Sequence, residues 1–110
     1  MRRLAGHGRT LAAALALAGA MGAAAAQDVM QEGRKLFTTA VPACALCHTL
    51  RDAGATGEIG PALDELKPDA ARVEKAIRNG IGQMPPFTTL TDAQVKLLAQ
   101  YVARATGAAP

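Results

Sequence analysis

Apolar positions along the chain recur mainly at helical spacing, and no stretch alternates in the way a half-buried strand would. Three helices are predicted. The first begins near Asp28, whose carboxylate can cap it with Gln31 three residues on, and runs through Phe37 to about Thr39 before Pro42 stops it. The second starts around Pro68-Asp69, carries Val73, Ala76, Ile77 and Gly80 on one side, and ends at Asn79-Gly80. The third opens with Thr91 and Gln94 as a capping box and places Val95, Leu98, Ala99 and Val102 on one stripe, flanked by Leu97 and Tyr101. Between the first two, residues 43–67 read as loop, with one short helical turn at Leu63-Asp64-Glu65-Leu66. A Gly/Pro-rich loop, GIGQMPPF, joins the second helix to the third, and the tail after Thr106 is expected to fray.

The amino terminus has a different character. Arg2, Arg3 and Arg9 come without an acid, residues 11–21 are uncharged and apolar, and Ala24-Ala25-Ala26 offers the small-residue pattern of a cleavage site. Residues 1–26 are therefore expected to be a secretory signal peptide, cut before Gln27, leaving one domain over 27–110. The apolar run of about 15 residues falls short of the ~20 needed to span a bilayer, so no stable membrane insertion is expected after cleavage. The formal charge of +3 belongs to this leader. From residue 27 onward, nine basic residues meet nine acidic ones. A neutral domain with two phenylalanines, one tyrosine and no tryptophan has neither the basic face nor the stacking surface of a nucleic-acid binder.

Composition also exposes a shortage of volume. A domain of this size buries little surface, and 21 large apolar residues with three aromatics make a thin core. Small chains of this kind often depend on a metal, a crosslink or a bulky cofactor.

Cys44-Ala45-Leu46-Cys47-His48 supplies the matching chemistry, since C-x-x-C-H is the attachment pattern of a c-type haem. Two thiols three residues apart on a turn can each add to one porphyrin vinyl group, and the adjacent imidazole then faces the iron. Competing readings of the cysteines fit less well. A disulfide across so short a loop is poorly shaped and leaves His48 unexplained. A thioredoxin-like pair needs a βαβ setting, and structural zinc needs four ligands where the mature chain offers two cysteines and one histidine. With no second histidine after residue 27, the soft candidates for a sixth iron ligand are Met30 and Met84. Met30 shares the first helix's stripe with Phe37, whereas Met84 sits in the loop stiffened by Pro85 and Pro86. Met/His ligation raises the potential and closes the iron to substrates, which suits electron transfer.

The arrangement Gly33-x-x-x-Phe37, CALCH, Ile59-Gly60-Pro61-x-Leu63, Gly82-x-Met84-Pro85 and Leu98-x-x-Tyr101-Val102 resembles a small monohaem class I cytochrome c across the whole mature chain. The resemblance implies an all-α cytochrome c fold, with about three main helices and loops wrapped round one covalently bound haem c. It implies thioethers at Cys44 and Cys47, axial ligands His48 and Met84, and a Pro61 carbonyl accepting from the second ring nitrogen of His48. It further implies a terminal-helix crossing at Gly33 and Tyr101, where a missing side chain allows close approach. Haem packing is expected from Phe37, Leu46, Ile59, Leu63, Val73, Ile77, Ile81 and Phe87. The six-residue spacer Thr38–Ala43, which includes Pro42, is longer than in many members.

The segments IGPALDELKPD and NGIGQMPPF are, in addition, similar to cytochromes that accept electrons from periplasmic molybdenum-dependent sulfite dehydrogenases. The expected activity is outer-sphere electron transfer in the periplasm, from a dehydrogenase donor towards a terminal oxidase or another cytochrome, with no substrate bond broken. The alternative is a tightly bound haem subunit of such a dehydrogenase. A haem enzyme or gas sensor would need an open iron site. Electrons would cross near Ala43, Ala45, Leu46, Pro85 and Pro86, through the small interface typical of short-lived redox encounters.

Overall fold

The computed structural model describes residues 7–108, with side chains described from residue 19. Five helices follow in order: α1 (His7–Thr39), α2 (Cys44–Cys47), α3 (Leu63–Leu66), α4 (Ala70–Asn79) and α5 (Asp92–Thr106). Arg2 and Arg3 of the expected leader, and Ala109-Pro110 of the tail, lie outside the described residues.

Helix α1 corrects the expected start. It is continuous through Asp28, which therefore caps nothing. The alanine-rich run ahead of Asp28 has the highest intrinsic helix propensity available, so the helix needs no break there. Residues 19–28 of α1 are exposed and its buried face begins further on, at Gly33 and Phe37. No described helix is both long and apolar enough to cross a membrane.

The other boundaries follow local chemistry. At α4, Asp69 is the N-cap, its carboxylate accepting the Arg72 N–H at 2.8 Å. At α5 the capping box is complete: the Gln94 N–H donates to Thr91 Oγ1 at 3.1 Å, and the Thr91 N–H to Gln94 Oε1 at 2.9 Å. The expected fraying after Thr106 does not begin at once. Gly107 turns left-handed, and the N–H groups of Gly107 and Ala108 close back onto the carbonyls of Arg104 (3.2 Å) and Ala103 (2.9 Å). That pairing is a Schellman motif, and it satisfies carbonyls the helix end would otherwise leave open.

Residues 49–56 also differ from the expected loop. Thr49-Leu50 (β1) and Ala55-Thr56 (β2) form a small antiparallel hairpin, in register Thr49↔Thr56 and Leu50↔Ala55, around a 3-10 turn at Arg51–Ala53. Two-residue strands are too short to show alternation, so periodicity could not reveal them. The hairpin matters because Leu50 is wholly buried and roots the segment after His48 in the core.

Helices α1 and α5 cross at Gly33. A Cβ on Gly33 would overlap Tyr101, so only glycine permits this approach. One turn on, Phe37 meets Tyr101 edge-to-face, with ring centroids 6.1 Å apart at 63°. Leu50, Leu63, Ile77, Val95, Leu98 and Val102 complete the core around them. The phenol of Tyr101 donates to Asp52 at 2.6 Å, and the same carboxylate accepts from Arg34 Nε and Nη2. Arg34 also donates to the Asp52 carbonyl at 3.1 Å. One carboxylate thus ties α1, α5 and the hairpin together.

Burial and the neighbouring Asp52 carboxylate both favour the neutral phenol, holding the Tyr101 pKa well above the ordinary value of about 10. Its contribution to stability is therefore complete below pH 10 and is lost as pH rises towards the folded-state value. Urea unfolding of the wild type is expected to show stability falling above pH 10. The Tyr101→Phe variant is expected to be less stable at pH 7 and to lack this component of the alkaline decline.

Candidate haem site

Between α1, the α2 turn, α3, α4 and the loop before α5 lies a largely apolar cleft of about 650 Å³, within the range of small-molecule and cofactor sites. The cleft brings together Cys44, Cys47, His48, Pro61 and Met84. Of the residues expected to pack against the cofactor, Phe37, Ile59, Leu63, Val73, Ile77, Ile81 and Phe87 line it. Leu46 does not, which corrects the sequence expectation. In the single turn of α2, Cys44 and Cys47 stand three residues apart and share the cleft-facing side, so Leu46 turns outward and is 65% exposed. Leu66, Leu98 and Val102 join the lining; the last two read from sequence as ordinary core positions of α5, and they serve both purposes.

Both thiols are free and half-buried. Desolvation in the apolar wall pushes the Cys44 thiol up to about 11, so it remains protonated at neutral pH. His48 caps the α2 turn, its N–H donating to the Cys44 carbonyl at 3.0 Å. Its Nδ1 lies 2.8 Å from the Pro61 carbonyl oxygen. With the proton on Nδ1, that bond fixes the ring and leaves Nε2 as a basic lone pair, the arrangement found at metal-bound histidines. Gly60 seats the ring. Its N–H donates to the Cys47 carbonyl at 2.6 Å, and a Cβ there would come within 2.6 Å of His48 Cε1. The adjacent hairpin is pinned from below, where Asp64 of α3 accepts the Arg51 N–H at 2.9 Å.

Met84 is held by its backbone. Ile81 and Met84 exchange two hydrogen bonds, at 3.0 and 2.9 Å, across a turn whose first central residue, Gly82, has φ +56°. A positive φ at that position is what a tight primed turn requires, and glycine adopts it without strain. After Pro85-Pro86, the Phe87 N–H returns to the Ile77 carbonyl at 2.8 Å, closing the loop onto α4.

The donor set fits a covalent haem: two reduced thiols in C-x-x-C-H spacing, an oriented imidazole, a thioether and an apolar cleft. A helical shell around such a cleft defines a c-type cytochrome, with haem c as its cofactor and electron transfer as its role. Residues 28–102 match the family model described as cytochrome c oxidase, cbb3-type, subunit III, and the chain belongs to this cytochrome c family. The crystal structure of the c-type cytochrome SorU from Sinorhizobium meliloti is similar, with 52% sequence identity and a TM-score of 0.71 over 74% of this chain and 95% of that one. No curated protein matches the chain.

Sequence reasoning missed Arg34 and Asp52, which brace the site through the hairpin; their pairing spans 18 residues and carries no local signal. The Gly60→Ala substitution is expected to destabilise the purified holoprotein by about 1–3 kcal/mol in urea unfolding, because the added methyl group overpacks the His48 ring.

Proposed function

We propose that residues 27–110, after removal of a leader at 1–26, form a periplasmic one-electron carrier whose iron is held by His48 and Met84. When bound, haem c supplies an Fe(III)/Fe(II) couple. Cys44 and Cys47 anchor the macrocycle by thioether bonds, and Pro61 orients His48 and raises its basicity. The turn at Ile81–Met84 and the two prolines after it present the Met84 thioether without needing the chain to reorganise when the oxidation state changes. The observation that carries this reading is that one cleft receives both the CALCH turn and the MPP loop.

The donor class we favour is a periplasmic dehydrogenase of the molybdenum-dependent sulfite-oxidising type, with a terminal oxidase or second cytochrome as acceptor. This reading draws on the IGPALDELKPD and NGIGQMPPF segments and agrees with the similarity to SorU. A second reading, permanent attachment to such a dehydrogenase, is favoured by the exposed apolar side chains Val41 and Leu46, which lie outside the cleft lining. Pull-down of the mature protein from periplasm decides between them: a stoichiometric partner that survives gel filtration supports the permanent subunit, and transient, salt-sensitive retention supports the carrier.

The ligand assignment is tested separately. Met84→Ala is expected to abolish the weak sulfur-to-iron absorption of the oxidised protein and to lower the reduction potential, while Met30→Ala leaves both unchanged. The opposite pattern, or carbon monoxide binding by the reduced wild type at neutral pH, would overturn it.

A further inference from the structure

The charges bordering the cleft are of one sign. Among the described residues, Arg72 and Lys75 are the fixed cations in its lining, and no aspartate or glutamate joins them. Both are exposed, and neither side chain has a carboxylate partner among the described residues. Helix α4 divides its charges between two faces. Arg78 turns away from the cleft to Glu74 (2.9 Å) and to Asp92 of α5, where Lys96 also pairs (3.1 Å). Arg72 and Lys75, three residues apart, border the cleft together with Asn79, whereas Arg78 is not part of its lining. The nearby acids are engaged elsewhere: Asp69 caps the helix through the Arg72 backbone N–H, and Glu74 holds Arg78.

Haem c is a dicarboxylate. Seating two ionised propionates in a mostly apolar cleft is unfavourable unless cations meet them. We propose that Arg72 and Lys75 receive the haem propionates, so that α4 sets which edge of the macrocycle carries the carboxylates while Cys44 and Cys47 hold the vinyl-derived edge. The inference rests on the haem site described above and gives a role to two charged residues of α4. Arg72 suits this task because a guanidinium can hold a carboxylate through two parallel N–H bonds, whereas Lys75 acts as a point charge.

A cation beside the propionates also favours the reduced iron, since the electron arrives near an already compensated charge. The test compares holoproteins carrying Arg72→Gln, Lys75→Gln or both with the wild type at one fixed ambient potential, reading the ratio of ferrous to ferric protein. Each single change is expected to lower the ratio by about five-fold, with a larger fall in the double variant. Arg72→Lys should recover part of the loss, and Arg104→Gln, an exposed cation outside the cleft, should leave the ratio unchanged. Resonance Raman spectra should show the propionate bending band shifted in the Gln variants, with the sulfur-to-iron absorption retained. Ratios within two-fold of the wild type and an unshifted propionate band would overturn the proposal. Absence of the sulfur-to-iron absorption from the wild type would instead count against Met84 ligation and leave the propionate comparison standing. Should the double variant not accumulate, the single variants decide by the same two readouts.

Discussion

The contact between Gly33 and Tyr101 governs how close α1 and α5 can come, and that spacing sets the position of everything resting on the pair. Phe37, one turn beyond Gly33, forms part of the back of the cleft because its ring is held edge-on to Tyr101. Leu98 and Val102 reach the cleft from the same crossing. Tyr101 then extends its influence through its hydroxyl, since the Asp52 carboxylate it meets belongs to the hairpin that follows the CALCH turn. A side chain at position 33 would force the helices apart, and an interior packed at crystal-like density has little slack to absorb the shift.

What was legible in the sequence is what short-range chemistry determines. Asp69 and the Thr91/Gln94 pair cap their helices because those side chains reach only three residues along the chain. The C-x-x-C-H motif is equally local, and so is the loop that carries Met84, where Gly82 permits the positive φ of the turn and the two prolines restrict the chain that follows. The less legible parts depend on distant partners or on elements too short to have a period. The β1–β2 hairpin offers two residues per strand, and Asp52 acquires its meaning only when Arg34 and Tyr101 arrive from opposite ends of the domain. Leu46 illustrates a third kind of limit. Its apolar character suggested a place against the cofactor, yet the geometry of one helical turn assigns that side to the two cysteines and turns residue 46 outward. The start of α1 shows a fourth: a good capping residue at Asp28 does not end a helix when the residues before it are alanines.

The thin apolar core and the even charge balance take on a common explanation once the cleft is considered. The polypeptide is short of bulk where the cleft lies, and the lining there is apolar apart from a few placed groups. Neutrality of residues 27–110 conceals a local ordering: the ion pairs of Arg34 and Arg78 join neighbouring elements on the outside, while among the described residues Arg72 and Lys75 beside the cleft have no acidic partner. Surface pairs of that kind add little stability individually, so their value here lies more in fixing which way each side chain points.

The helix crossing also decides how the site is enclosed. Leu98 and Val102 of α5 line the cleft, and Gly33 of α1 is what lets α5 lie close enough to α1 to hold them there. With α1 and α5 apart, Cys44, Cys47 and His48 would lack one wall of their cleft. A substitution that loosens the crossing therefore opens the site from a distance, without touching any residue of the CALCH turn.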